Sequence, residues 1–237
     1  MKKFKFLLTA MLLACSSMSF AQFMNSKGSS SAAATSDVAA WHGLRFSYDR
    51  TFMSYDYDLP DDADAQNMNG FSIDYVHAFK IAKSLPLFIE TGAGLNFARW
   101  SESESYEDYG SEFETETSIT TLGLTIPVNL VYGIGINDKL TIKPFTGFYL
   151  RANLMGKGKE TYTVDGESED ETFNLFEKDD MADALTDKWN RVQVGWQIGT
   201  TLDINKFNVG IGYALDFNEI AKKQKTSKFQ VRLGYNF

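Results

Sequence analysis

The sequence is poor in several residue types that common functional sites require. Its 237 residues include one cysteine, four prolines and two histidines. The single cysteine, Cys15, cannot form a disulfide within the chain, and it lies in an N-terminal segment that we expect to be removed. No apolar run comes near the roughly 20 residues that a membrane-spanning helix needs, so any membrane span must consist of strands.

The N-terminus has the pattern of an export signal. Three lysines precede a short apolar run that ends at Ala14, and a small-x-small cleavage motif ends at Ala21. This arrangement predicts a secretory signal peptide over residues 1–21. The four residues that end at Cys15 also resemble a lipobox, so lipidation of that cysteine stays open. Residues 22–40 are rich in serine and alanine and are predicted to form a flexible leader.

The charge of the chain is strongly negative. The full sequence carries a net charge of −8, and removal of residues 1–21 with their three lysines leaves −11. A surface of this sign disfavours nucleic acid as a partner. With one cysteine and two histidines, the composition also offers few ligands for a soft metal ion.

Strict alternation of apolar and polar residues dominates the rest of the chain. Between Phe207 and Phe217, for example, every odd-numbered residue is apolar and lies on one face of the predicted strand. Such a period of two predicts strands, and each is long enough to cross a membrane at a tilt. Eight are predicted, near residues 42–53, 69–79, 86–100, 117–136, 139–154, 189–204, 206–217 and 226–237.

The predicted connections alternate between short and long along the chain. The short ones are 80–85, 137–138 and 205–206, and the long ones are 54–68, 101–116, 155–188 and 218–225. Short turns at the end that carries both termini, with long loops opposite, are typical of membrane barrels. The predicted fold is therefore all-β: an eight-stranded antiparallel up-and-down transmembrane β-barrel over residues 41–237.

The last nine residues carry a family resemblance. Their apolar positions alternate to the final aromatic residue: Phe229, Val231, Leu233, Tyr235 and Phe237. This ending resembles the last strand of bacterial outer-membrane β-barrel proteins, in which it is the signal read by the barrel-assembly machinery. Over the signal peptide and residues 41–237, the chain is similar to the small "porin family" barrels of OmpA-like architecture. The resemblance implies a Gram-negative outer-membrane location and contact with lipid and lipopolysaccharide.

Outward-facing apolar side chains would leave a charged interior. Five acids and five bases then face inward: Arg45, Asp49, Asp74, Glu90, Lys143, Arg151, Arg191, Asp203, Asp216 and Arg232. An eight-stranded barrel is just wide enough for side chains to fill it, so these charges must be paired or hydrated. We expect a closed lumen and a structural or surface-interaction role. Two alternatives stay open: a narrow channel for small solutes, and a secreted lipocalin-like barrel with its faces reversed around an apolar ligand.

The first three long loops are acidic, whereas the fourth, 218–225, is basic; no catalytic constellation is evident. Clusters such as Glu112, Glu114 and Glu116 suit weak binding of divalent cations, but no loop has EF-hand spacing. Both histidines, His42 and His77, are predicted at the periplasmic ends of strands, far from the long loops. We therefore expect no enzyme, no cofactor and no dedicated metal site.

Overall fold

The computed structural model describes residues 38–56, 65–82, 85–108, 111–177 and 187–237. The predicted signal peptide and nearly all of the predicted leader lie outside these residues, as do several acids of the first and third long loops. Among the described residues, no helix is long and apolar enough to cross a membrane.

The described residues form ten β-strands. They are β1 (His42–Tyr55), β2 (Met68–Lys80), β3 (Leu87–Asp108), β4 (Ser111–Tyr132), β5 (Ile134–Asn137), β6 (Leu140–Val164), β7 (Glu167–Asn174), β8 (Val192–Ile204), β9 (Phe207–Asp216) and β10 (Gln224–Asn236). Eight of them pair antiparallel in a closed ring that runs β1-β2-β3-β4-β6-β8-β9-β10 and back to β1. The predicted eight-stranded antiparallel barrel is confirmed. β5 continues β4 beyond Gly133, and β7 pairs with β6 outside the ring.

The side chains alternate across the barrel wall with the polarity that the sequence predicts. On β1, Leu44 and Phe46 are 46% and 48% exposed, whereas Arg45 and Ser47 between them are 7% and 0% exposed. Apolar residues therefore cover the outside of the barrel and polar residues fill it. The lipocalin-like alternative is wrong, because Phe207 of β9 is 66% exposed on the outside.

Two irregularities interrupt the wall without opening it. The pairing of β3 with β4 stops between Thr91 and Gly94, opposite Pro127, which has no N–H to donate. The Thr91 hydroxyl donates instead to the Pro127 carbonyl at 2.8 Å. A bulge in β6 near Met155 then shifts its register against β4 and reverses which of its residues face outward.

Two predicted loops are largely sheet, and this corrects the prediction. The range 101–116 continues β3 and β4 to a two-residue connection, and the range 155–188 contains the end of β6 and all of β7. Together these strands form a four-stranded sheet, in the order β3-β4-β6-β7, that extends beyond the barrel rim. We call it the projecting sheet. Its β6–β7 turn is Asp165-Gly166, with φ of 51° and 88°, which is a two-residue hairpin turn.

Candidate functional site: the barrel lumen and the projecting sheet

Asp49 is the centre of one charge cluster in the lumen. It lies on β1 and is 2% exposed. Its carboxylate accepts hydrogen bonds from Ser47 at 2.9 Å, from Gln230 at 3.0 Å and from Ser72, and it lies 3.5 Å from the Lys228 ammonium. Side chains from β1, β2 and β10 therefore converge on this one buried charge.

A second cluster surrounds Asp216 of β9. The Arg151 guanidinium donates to its carboxylate at 2.6 Å, and the hydroxyls of Tyr149 and Thr226 donate to it as well. Asp216 and Arg151 are 2% and 8% exposed, so both charges are withdrawn from water. A paired and hydrogen-bonded geometry is what makes such burial tolerable.

The third cluster lies toward the short-turn end, where the chain termini are. Lys143 Nζ lies 2.5 Å from Asp203 Oδ2 and 3.4 Å from the centre of the Trp41 ring. The Trp41 indole N–H donates to Glu90 at 2.8 Å. Asn236 donates to the same Asp203 oxygen at 2.8 Å and accepts from Arg45 at 2.8 Å, which connects β1, β6, β8 and β10.

The remaining predicted interior charges occupy different positions. Asp74 and Arg232 line a narrow cavity that residues of all three clusters border, and Arg232 also donates to Gln230 at 2.5 Å. Arg191 is exposed and does not enter the lumen, which corrects the prediction. It precedes the first paired residue of β8, and its guanidinium lies 4.3 Å from the centre of the Phe176 ring.

Apolar clusters lie at both ends of the polar lumen. The short-turn cluster consists of Trp41, Ala78, Phe88, Val131 and Phe145. Trp41 packs on Phe88 with ring centres 4.7 Å apart, and Val38, from the predicted leader, packs against this cluster. The alternating strand pattern did not indicate this cluster, because part of it comes from the segment before β1.

The opposite end has a cluster assembled largely from loops. The long-loop cluster consists of Met53, Met68, Ile119, Leu175, Trp189, Ile220 and Ala221. Leu175 and Trp189 come from the β7–β8 connection, and the Trp189 amide donates to the Leu175 carbonyl at 2.7 Å. The Asn190 amide donates to the Ile220 carbonyl at 2.6 Å, which ties this connection to the β9–β10 loop.

Four residues of the predicted assembly signal lie on the outer face of β10, and the fifth, Phe237, directly follows that strand. All five side chains are between 37% and 57% exposed: Phe229, Val231, Leu233, Tyr235 and Phe237. They alternate along the chain with residues such as Gln230 and Asn236, which are buried and face inward. The terminal Phe237 amide donates to the His42 carbonyl at 2.9 Å. The last residue is therefore held to the first residue of β1.

The two histidines lie together at the short-turn end. His42 and His77 are direct partners in the β1–β2 ladder, and their rings stack with centres 5.8 Å apart. His42 also contacts Phe237, with ring centres 5.5 Å apart. Both rings therefore belong to the aromatic rim of the outer surface.

The geometry defines a class of protein: a closed antiparallel barrel with an apolar exterior and a charged interior. A family model described as "Outer membrane protein beta-barrel domain" matches residues 20–222. The chain belongs to this family and resides in the outer membrane of a Gram-negative bacterium, where its exterior contacts lipid and lipopolysaccharide.

The other comparisons found fold neighbours and no curated relative. No curated protein matches the sequence. Ail, the attachment invasion locus protein of Yersinia pestis, solved with the heparin analogue sucrose octasulfate, is 14% identical with a TM-score of 0.37, over 84% of this chain and 100% of its own. Neisserial surface protein A is 11% identical with a TM-score of 0.37, over 83% and 97%. The N-terminal barrel of Pseudomonas aeruginosa OprF is 10% identical with a TM-score of 0.31, over 84% and 100%.

Proposed function

We propose that this protein is a non-conducting barrel with a structural and surface-interaction role, which holds the projecting sheet outside the cell. The observation that carries the proposal is the filling of the lumen: three buried charge clusters between two apolar clusters. An ion that passed through would have to separate buried ion pairs. Breaking such a pair costs roughly 3–5 kcal/mol, because it leaves a buried charge without its partner.

A planar bilayer measurement tests the closed lumen. We expect the purified barrel to give no reproducible open state. The variant Trp41→Ala removes the ring that packs on Phe88 and holds Glu90 and Lys143, so it should admit brief openings. Trp196→Ala is the matched control, since Trp196 faces outward and bonds Thr146 there. Regular ion flux through the unaltered barrel would contradict the proposal.

One observation favours a narrow channel as the second candidate function. Buried polar atoms of Asn208 and the Nε of Arg232 have no hydrogen-bond partner in the part of the chain that the structure describes. Such atoms are the places where internal water is retained. A chain of waters along these groups would support passage of small ions, and the same bilayer measurement distinguishes this candidate from the closed barrel.

The exposure of the projecting sheet at the cell surface is tested by labelling. The exposed positions Ser168 of β7 and Asp138 of the β5–β6 turn lie at opposite ends of the molecule. On intact cells, a membrane-impermeant maleimide should react with Ser168→Cys. Asp138→Cys should react only after the outer membrane is opened. The reverse pattern would show that the sheet faces the periplasm and would end the surface proposal.

The proposed role does not include catalysis. Support comes from the position of His42 and His77, which stack on the outer surface at the short-turn end, away from the projecting sheet. Incubation of the barrel with outer-membrane lipid and denatured protein should leave both chemically unchanged by mass spectrometry. Loss or transfer of an acyl chain, or a cut peptide, would contradict this part of the proposal.

Two further partners belong to the proposal. The barrel-assembly machinery would read the outer face of β10 during biogenesis, because the terminal strand ends on an exposed aromatic residue. Divalent cations would bind weakly to the acidic strands of the projecting sheet, since carboxylate oxygens are ligands that hard cations prefer. Neither partner is needed for the closed lumen.

A further inference from the structure

The two faces of the projecting sheet differ in their side chains. The inner face continues the lumen-facing side of the barrel wall, since the row Trp100–Ile119–Gly158–Phe173 packs on the long-loop cluster. Three further rows extend this face away from the membrane. From the barrel outward they are Glu102–Thr117–Glu160–Glu171, Glu104–Thr115–Tyr162–Glu169 and Tyr106–Phe113–Val164–Glu167.

An apolar patch lies on the outermost part of the inner face. The rings of Tyr106 and Phe113 stack with centres 5.2 Å apart and planes within 9° of parallel. Tyr106 is 60% exposed, and the neighbouring Tyr162 and Val164 are 46% and 42% exposed. These residues lie beyond the barrel wall, so bilayer lipid does not explain their exposure. Contiguous exposed aromatic residues of this kind mark interaction surfaces.

The charge around the patch is of one sign. The described residues of its three rows include six glutamates and no lysine or arginine. The outer face of the same strands differs, because Arg99 lies 3.6 Å from Glu116 there and Lys159 lies 2.9 Å from Asp170. Among the described residues of these three rows, no basic side chain balances the negative charge of the inner face. Anionic lipopolysaccharide is a poor match to such a surface.

One internal contact orients the patch. The Tyr162 hydroxyl donates to Glu160 at 2.6 Å, which holds the ring across the face. This hydrogen bond and the charge of Glu160 raise the pKa of Tyr162, so the ring stays neutral and adds no further negative charge. An aromatic ring beside carboxylates suits a cation, which can contact the ring face and the oxygens together.

We propose that the inner face of the projecting sheet binds a polypeptide segment of a partner protein that is rich in lysine or arginine and carries aromatic or aliphatic side chains. The proposal rests on the surface-interaction role and names the chemistry of its partner. Glutamates around the patch steer the basic segment, and Tyr106, Phe113 and Val164 bury its apolar side chains. Binding is therefore salt-dependent and needs the aromatic patch as well as the charge.

The test uses the full barrel in nanodiscs of zwitterionic phosphatidylcholine. The probe is a short synthetic peptide in which lysines alternate with threonine and tyrosine, and its binding is measured by fluorescence anisotropy. We expect the wild-type barrel to bind it, with affinity that falls as salt is raised to about 0.5 M. The same peptide with glutamate in place of each lysine should not bind.

Two triple variants of equal charge separate the inner face from general electrostatics. Glu104→Gln, Glu167→Gln and Glu169→Gln neutralise the inner face beside the patch. Glu107→Gln, Glu112→Gln and Glu114→Gln neutralise the outer face of the same sheet. Three exposed charge contacts of ordinary strength correspond to about a tenfold loss of affinity. We expect that loss in the inner variant, little change in the outer one, and a loss also in Tyr106→Ser.

Each other result overturns the inference. Equal loss in both triple variants would mean that the peptide responds only to net charge. Binding to lipopolysaccharide that requires calcium and the inner glutamates would assign the face to a cation-bridged lipid. Absence of peptide binding would reject the partner chemistry, while surface labelling of Ser168→Cys would still support the proposed function. Amide exchange in the projecting sheet should match wild type in every variant, which excludes unfolding as the cause.

Discussion

Asp216 illustrates how hydrogen bonds from neighbouring strands hold a single charge inside the barrel. Its two carboxylate oxygens accept from Arg151, Tyr149 and Thr226, which come from two other strands. Each partner replaces part of the hydration that the carboxylate loses on burial. The ion pair of Asp216 with Arg151 thus connects β9 with β6 and requires a strict geometry. Removal of one member leaves the other charge buried without a partner.

The variant Asp216→Ala should destabilise the barrel by about 3–5 kcal/mol, because Arg151 would remain buried without its counter-charge. Urea unfolding of the barrel in liposomes measures this free energy. Arg99→Gln is the control: Arg99 and Glu116 form a pair whose side chains are 52% and 45% exposed, and such pairs contribute up to about 1 kcal/mol. Equal losses of unfolding free energy in the two variants would contradict the larger contribution expected from the buried ion pair.

Within a strand, the odd or even position of a residue predicts whether its side chain faces inward. Arg45 and Asp49 face the lumen because they alternate with Leu44, Phe46 and Tyr48, which are exposed. Arg191 has the parity of the inward-facing Gln193 of β8, yet it is exposed. The rule fails at this strand end, where the Arg191 guanidinium lies over the Phe176 ring, although the Asn153 amide of β6 still donates to the Arg191 carbonyl at 2.7 Å.

At the scale of elements, the projecting sheet was missed for an identifiable reason. Glutamate disfavours strands on average, and the acidic runs were therefore interpreted as solvated loops. Two features of the sequence indicate strands in these ranges instead. Phe113, Thr115 and Thr117 alternate with the glutamates, and Asp165-Gly166 between alternating segments is a strong hairpin signal. Cross-strand pairing with β3 and β6 then outweighs the low propensity of single residues.

The β6–β7 hairpin should respond to acid through Asp170. Its carboxylate accepts from Lys159 at 2.9 Å and from Thr161 at 2.8 Å, and these contacts lower the pKa of Asp170 below 3.8. Because the folded pKa lies below the unfolded one, the stabilisation is present above the unfolded value and is lost as pH falls through the folded value. Titration by NMR should give a midpoint below 3.8, and the protection of the β7 amides, relative to their intrinsic exchange rates, should fall there.

The hairpin variant Asp170→Asn supplies the comparison for this titration. It removes the charge, so the protection of the β7 amides should depend less on acid in the same range. A midpoint for Asp170 at or above its ordinary value would contradict the assigned contacts. Since the side chain is exposed, we expect a local effect on the hairpin and none on the barrel.

The terminal strand makes a separate prediction about biogenesis. Deletion of Phe237 should lower the amount of folded barrel in the outer membrane, because the strand would lose its final aromatic residue. Refolding of the purified variant in detergent should still succeed, since one backbone bond and a contact with His42 are lost. Phe207→Ala is the control, as Phe207 is 66% exposed near the same rim but lies on β9. Equal loss in both variants would reject a special role for the C-terminus.

At the scale of the whole molecule, the bilayer acts as the solvent for the outer surface. Ile73 lies in the middle of β2 and is 59% exposed, next to Phe46 and Leu95 on the neighbouring strands. Ile73→Arg should destabilise the barrel in liposomes by about 2–4 kcal/mol, the cost of a cation near the bilayer midplane. Ser105→Arg, on the projecting sheet, should change stability by less than about 0.5 kcal/mol. A small effect at Ile73 would contradict its contact with lipid.

The sequence by itself determined the strand periodicity, the outward apolar face and the antiparallel ring, because the period of two is a local property of each segment. It also determined the charge of the loops and the resemblance to the outer-membrane family. Only the tertiary structure decided which charges pair, since the partners come from strands far apart in the chain. The same holds for the two apolar clusters: Trp41, Leu175 and Ile220 lie outside the predicted strands, and their burial with Trp189 follows from where the closed ring brings them.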